Sequence, residues 1–176
     1  GVTIVLSVVS IVYSYITYKR NYNERKRLEK KLNIDISLKQ YQIRARGKTS
    51  DLTVNYEGNS YKHLCEYSVS IFNNGLVAIN QPKLLFAFPF DCLVIKTFDE
   101  KSSEFIHMDR EVLKGIEKIE HLYEFDRLEP SDRVTIIYLV DTDKADELTC
   151  RPRGGDGVNC SYSQSGLTSQ SDFAEL

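Results

Sequence analysis

The first eighteen residues of the chain, Gly1 to Tyr18, carry no charged side chain, and seven of the next thirteen are Lys or Arg. A core helix rarely stays uncharged for that long, because its outer face meets water. A secretory signal places its basic residues before the apolar run, whereas here they follow it. Val2 to Tyr18 is just long enough to span, since ~20 helical residues at ~1.5 Å each cover a ~30 Å hydrocarbon layer. The expectation is therefore a transmembrane helix over 1–18, with Tyr13, Tyr15 and Tyr18 as interface aromatics. By the positive-inside rule Lys19, Arg20, Arg25, Lys26, Arg27, Lys30 and Lys31 form a basic collar that holds the C-terminal side in the cytoplasm. That predicts a single-pass protein of a bacterial inner membrane, with the lipid bilayer as its first partner.

The formal net charge of the 176 residues is −2, and it is a cancellation. Residues 19–31 hold seven basic and two acidic side chains, and 32–176 hold sixteen basic and twenty-three acidic ones. An acidic main domain excludes a uniformly basic nucleic-acid binder, so no direct nucleic-acid contact is expected.

Thr3, Ser7, Ser10, Ser14 and Thr17 are all the hydroxyl residues of the first eighteen apart from the tyrosines, and their spacing of 4, 3, 4, 3 places them on one stripe of a helix. Val5, Val9, Val12 and Ile16 lie opposite. Small and hydroxyl residues are what membrane helices pack through, so the stripe predicts a homo-oligomer. It would form either a dry seam or, in a larger ring, the lining of a channel. A third reading has each hydroxyl bond back to its own helix carbonyl. Asn21 and Glu24 continue the stripe, extending the helix to about Leu32 as a basic juxtamembrane segment over 19–32.

From Asn33 the period changes to two. Ile34, Ile36 and Leu38 alternate with Asp35, Ser37 and Lys39, as in a half-buried strand. Further strands are expected at Leu52–Tyr56, Tyr67–Phe72, Lys83–Phe90, Cys92–Phe98, Tyr123–Leu128 and Val134–Val140. Asn73-Asn74-Gly75, Asn80-Gln81-Pro82 and Glu129-Pro130-Ser131-Asp132 supply turns between them. Val112, Leu113, Ile116, Ile119 and Leu122 recur at helical spacing, which predicts one short amphipathic helix over Met108–His121. A hairpin around Gly154–Gly157 and a polar tail over 161–176, either loose or a docking strand, complete the chain. The fold class is thus α+β: an N-terminal transmembrane helix extending into the cytoplasm, then a β-rich, sandwich-like domain over 33–160 with one short helix. The order from Tyr67 to Tyr138 resembles strand patterns of bacterial immunoglobulin-like modules, which bears on architecture alone.

Catalytic and metal chemistry find little support. Cys65, Cys92, Cys150 and Cys160 include no Cys-x-x-Cys pair and no histidine at zinc-finger spacing, so neither a metal nor a cofactor is expected, and reduced thiols are the default in a cytoplasm. Cys150 and Cys160 would pair across a hairpin only if the topology were reversed. His63 and Cys65 stand two apart, as on one strand face. Gly47-Lys48-Thr49 resembles the end of a phosphate-binding loop, but Gln42 stands where that loop needs its first glycine. Asp126, Asp132, Asp141, Asp143 and Asp146 read as exposed charges flanking strands. No catalytic residue is assigned, and an enzyme is not expected.

The Val2–Tyr18 span, the Lys19–Lys31 collar and the single domain over Asn33–Leu176 together resemble, as a layout, the small membrane-associated accessory proteins of type VI-B CRISPR systems. Members have been viewed as divergent HEPN nucleases. None of His63, His107 and His121 follows an arginine at the spacing such nucleases use, so the resemblance carries over no nuclease residues. It implies a ring-shaped, pore-like effector that strengthens antiphage defence by perturbing the inner membrane, with an RNA-guided nuclease system acting upstream. The alternative is a membrane-tethered β-sandwich binding or sensor module without pore activity.

Overall fold

The computed structural model describes residues 2–41, 53–115, 118–153 and 158–169, with side chains described for 10–41, 53–115, 118–153 and 158–163. An N-terminal helix α1 (Val2–Arg27) leads into strands β1 (Lys30–Gln40), β2 (Val54–Tyr56), β3 (Asn59–Tyr61), β4 (Leu64–Asn73), β5 (Ile79–Asn80), β6 (Lys83–Pro89) and β7 (Leu93–Lys101). There follow β8 (Met108–Lys114), β9 (Lys118–Phe125), β10 (Arg127–Leu128), β11 (Arg133–Asp141), a single 3-10 turn at Ala145–Glu147, β12 (Thr149–Arg153) and β13 (Val158–Ser169). The chain is therefore mostly β.

Two sheets face each other. One has five strands in the order β13-β1-β4-β11-β7, the other four in the order β12-β6-β9-β8. Strand alternation builds the space between them. On the first sheet Leu32, Ile34 and Leu38 of β1, Tyr67, Val69 and Ile71 of β4, and Val134, Ile136, Tyr138 and Val140 of β11 are buried. Leu84, Phe86 and Phe88 of β6 and His121, Tyr123 and Phe125 of β9 meet them from the second. Phe86 is the hub: its ring stands 6.3 Å from Tyr67 at 89°, 5.4 Å from Tyr123 and 5.2 Å from Tyr138. Edge-on pairs of this kind add ~0.5–1.5 kcal/mol each beyond simple burial.

Asn73 shows how a turn signal became a structural joint. Its side chain is fully buried and donates through Nδ2 to the carbonyls of Val77 at 3.0 Å and Leu128 at 2.9 Å, while Oδ1 accepts from the Gly75 amide at 3.1 Å. A Cβ on Gly75 would lie 3.0 Å from the Lys31 amide nitrogen and 3.1 Å from the Glu29 carbonyl oxygen. The glycine is needed because the loop after β4 sits directly against the backbone where α1 passes into β1. The β2–β3 hairpin turns through Glu57 (φ 49°) and Gly58 (φ 84°), the two successive positive-φ positions that match the twist of paired strands.

Several sequence expectations are corrected. Met108–His121 is no helix: β8 and the start of β9 form a hairpin closed by the Gly115 amide donating to the Lys118 carbonyl at 2.9 Å. Val112 and Leu113 stand on an edge strand, with Val112 exposed, while His121, Tyr123 and Phe125 follow period two, so the helical spacing arose from two strands counted as one. Ile116, one of the residues behind that reading, lies outside the described residues.

The helix ends at Arg27 rather than Leu32. The Leu28 amide bonds the Glu24 carbonyl at 3.1 Å, and then Leu32 is claimed by pairing opposite Asn73 on β4. Much of the tail is a full strand: β13 runs parallel to β1 from Lys30↔Val158 to Gln40↔Ser169. The Gly47–Thr49 segment, the Gly154–Gly157 turn and residues 170–176 lie outside the described residues.

The α+β fold class with a transmembrane helix is itself overturned. Among the described residues no helix is long and apolar enough to cross a membrane. Val2 to Tyr18 rises only about 26 Å at ~1.5 Å per residue, against a hydrocarbon layer of ~30 Å. Six of the nine residues from Ser10 to Tyr18 are Ser, Thr or Tyr. The single-pass inner-membrane location falls with the span.

Candidate functional site

Helix α1 separates its chemistry along its axis. Ile11, Val12, Tyr13, Tyr15, Ile16, Tyr18 and Tyr22 occupy its middle, and the last turn is Arg25-Lys26-Arg27, whose positive charge complements the negative end of the helix dipole. Every residue from Ser10 to Leu28 is exposed. Ile11 is 69%, Tyr13 73% and Tyr18 69% exposed, so bulky apolar groups point outward on several sides and neither sheet covers them.

The helix surface is nonetheless ordered. Tyr18 stacks on Tyr22 with ring centres 6.3 Å apart and planes at 17°, and the Lys26 ammonium sits 4.9 Å from the Tyr22 ring centre. Arg20 Nε donates to Glu24 Oε1 at 3.3 Å one turn on. These i,i+4 contacts each stabilise an exposed helix by only ~0.2–0.5 kcal/mol.

The residues singled out from sequence fall as follows. Ser10, Ser14 and Thr17 lie exposed on one helical stripe; Thr3 and Ser7 belong to the same helix, and their side chains lie outside the described residues. Lys19, Arg20, Arg25, Lys26 and Arg27 are exposed on α1. Lys30 and Lys31 are not on the helix. They open β1, where Lys31 Nζ pairs with Glu29 Oε2 at 3.4 Å. Glu29 also accepts from Asn159 Nδ2 of β13 at 2.8 Å, and that bond, ahead of the lysine charges, holds its carboxyl below the usual range. The collar is thus five helical cations plus two that are stitched into the sandwich.

The cysteines do not gather. Cys65, Cys92 and Cys150 are buried, Cys160 is half-buried, and all four are free thiols. Burial pushes the thiols of Cys92 and Cys150 up to about 12; for Cys65 burial, then the neighbouring Asp141 charge, raises it to about 11. A thiol held protonated that firmly is a poor nucleophile. His63 is exposed. It meets Cys65 through its backbone only, its carbonyl accepting from Cys65 Sγ at 3.4 Å. Among the described residues no three His, Cys, Asp or Glu side chains stand together as a metal site.

Sequence reasoning missed a buried polar chain, His121–Tyr138–Tyr123. His121 Nδ1 lies 2.9 Å from Tyr138 Oη, which donates to Tyr123 Oη at 2.9 Å. Its only sequence signal is three hydrogen-bonding rings at inward positions of two β strands, and nothing in their spacing along the chain places them together.

No family model matches the chain, and no curated protein matches it.

Proposed function

We propose that the protein is a β-sandwich binding module held at an anionic lipid surface by α1, the helix resting in the headgroup region without crossing. One observation carries this reading: bulky apolar residues exposed on several sides of a helix are followed directly by Lys19, Arg20, Arg25, Lys26 and Arg27, also exposed. Exposed apolar surface is unfavourable by ~25 cal/mol per Å², so α1 calls for a covering partner. A second copy would cover one seam and bring two sets of five cations together. An anionic headgroup layer receives Ile11, Val12 and Ile16 among its upper acyl carbons and tyrosines at its own level. It also attracts each nearby Lys or Arg by ~1 kcal/mol.

A pore-like homo-oligomer needs a helix that spans, and among the described residues no helix is long and apolar enough to do so. The likeness to type VI-B accessory proteins adds one expectation to the proposal: an RNA-guided nuclease system upstream as the source of the signal that the sandwich receives. That expectation rests on layout alone.

Vesicle co-sedimentation tests the reading. The full chain should pellet with phosphatidylglycerol-containing vesicles, bind phosphatidylcholine vesicles far more weakly, and be released by salt. Equal binding to both, or none, overturns it. So does lipid-independent assembly that buries α1, detected as a concentration-dependent rise in mass without vesicles.

A further inference from the structure

At the edge where β12 and β13 approach each other, the two sheets part around a cleft of about 280 Å³. Ile36, Tyr67, Leu148, Cys150, Arg151 and Tyr162 supply its apolar and charged walls, with Thr149 and Ser163 between them. Tyr67 belongs to β4, the third strand in from this edge. The cleft therefore reaches under β13 and β1, a depth of roughly 10 Å at ~4.8 Å per strand. At ~30 Å³ per water-sized group, its volume holds about nine such groups.

Three features define what would fit. The Tyr67 hydroxyl is buried and has no hydrogen-bond partner, the one buried side-chain polar atom so left among the described residues. Native interiors pair such groups with protein, water or ligand. Arg151, in the same lining, is exposed and makes no ion pair among the described residues. The Tyr162 phenol, exposed in the same lining, lies close enough to feel the Arg151 charge.

We infer that this cleft binds a small aromatic carboxylate with a hydrogen-bond acceptor at its far end. Its carboxylate pairs with Arg151 at the mouth, its ring lies among Ile36, Leu148 and Tyr162, and its distal oxygen accepts from Tyr67 Oη. A guanidinium is the side chain best shaped for a carboxylate, and an apolar pocket with a few placed polar groups is the usual form of a small-molecule site. The inference goes beyond the lipid reading and is independent of it, since no lining residue lies on α1.

Titration of the isotope-labelled full chain with 4-hydroxybenzoate, benzoate and 4-hydroxybenzamide, without vesicles, tests it by amide shifts. 4-Hydroxybenzoate should give saturable shifts at Leu148–Arg151 and at Tyr162 and Ser163. Tyr67→Phe should weaken 4-hydroxybenzoate about tenfold, the share of one hydrogen bond, and leave benzoate unchanged. Arg151→Gln should weaken both carboxylates about tenfold and leave the amide unchanged. Tyr67→Phe keeps the buried ring, so the fold is retained. Absence of saturable shifts at those residues, or Tyr67→Phe and benzoate behaving without this split, overturns the inference.

Discussion

His121 Nδ1 sits 2.9 Å from Tyr138 Oη, an imidazole from one sheet bonded to a phenol from the other in the centre of the sandwich. The Phe88 ring packs 4.8 Å from Tyr138 and 5.2 Å from His121, closing the site against water. Burial first, and then the Arg110 charge, lowers the His121 pKa from 6.5 to about 4. The imidazole is therefore neutral in the folded protein at neutral pH.

Acid should weaken the fold through this histidine. The unfolded chain takes up the proton near pH 6.5 and the folded one near pH 4, so between those values the unfolded state binds more protons. The neutral-form contribution is fully present above pH 6.5 and is lost as pH falls toward about 4. At 1.36 kcal/mol per pKa unit the loss is roughly 3 kcal/mol. Urea unfolding of the protein and of His121→Phe across this window measures it. A wild-type acid slope that His121→Phe does not reduce would remove His121 as its source.

Asn73→Ala should destabilise the protein by about 3 kcal/mol, since one substitution leaves the Val77 and Leu128 carbonyls and the Gly75 amide without their partner. Denaturant midpoints give the value. Asn73→Asp keeps the acceptor for Gly75 but loses both donated bonds, so it should rescue little.

Removing β13, by ending the chain before Val158, should expose the outer edge of β1 along its length, because β13 is its neighbour on that side. A bare edge strand next to buried Leu32 and Ile34 is an aggregation template. Size-exclusion chromatography should show self-association of the shortened chain and a monomeric sandwich when β13 is present. A shortened chain that stays monomeric would mean the edge is protected in another way.

Replacing Arg25, Lys26 and Arg27 together with Gln should weaken binding to phosphatidylglycerol vesicles by about 3 kcal/mol, roughly 150-fold, at ~1 kcal/mol per cation. Circular dichroism of the variant should be unchanged, since Gln is nearly as good a helix former as Lys or Arg. Undiminished vesicle binding would show that these charges do not face the lipid.

Some of this architecture was legible residue by residue. Alternation at Ile34, Ile36 and Leu38 marked β1, and the apolar runs around Tyr67–Phe72, Lys83–Phe90 and Val134–Val140 lie within or almost within β4, β6 and β11. Burial on one face leaves that pattern in the sequence whatever the partner strand is. Met108–His121 was misread because apolar residues from two short strands, with Gly115 between them, produced helical intervals by accident. The charge break at Lys19 was plain, but charge and apolar content along one helix do not by themselves give it the length and hydropathy to span a bilayer.

The one-dimensional string thus determined local things: where the chain alternates, where it turns, and that a basic segment follows an uncharged one. Only the tertiary structure decided that β13 lies parallel to β1, with some 130 residues of chain between paired positions such as Asn33 and Ser161. It alone joined His121 to Tyr138, left the buried Tyr67 hydroxyl without a partner among the described residues, and brought Tyr67 and Arg151 into the lining of one cleft. The physical reason is that periodicity records which face of an element is buried, whereas pairing between distant strands depends on the contacts of the whole fold, which no local window of residues contains.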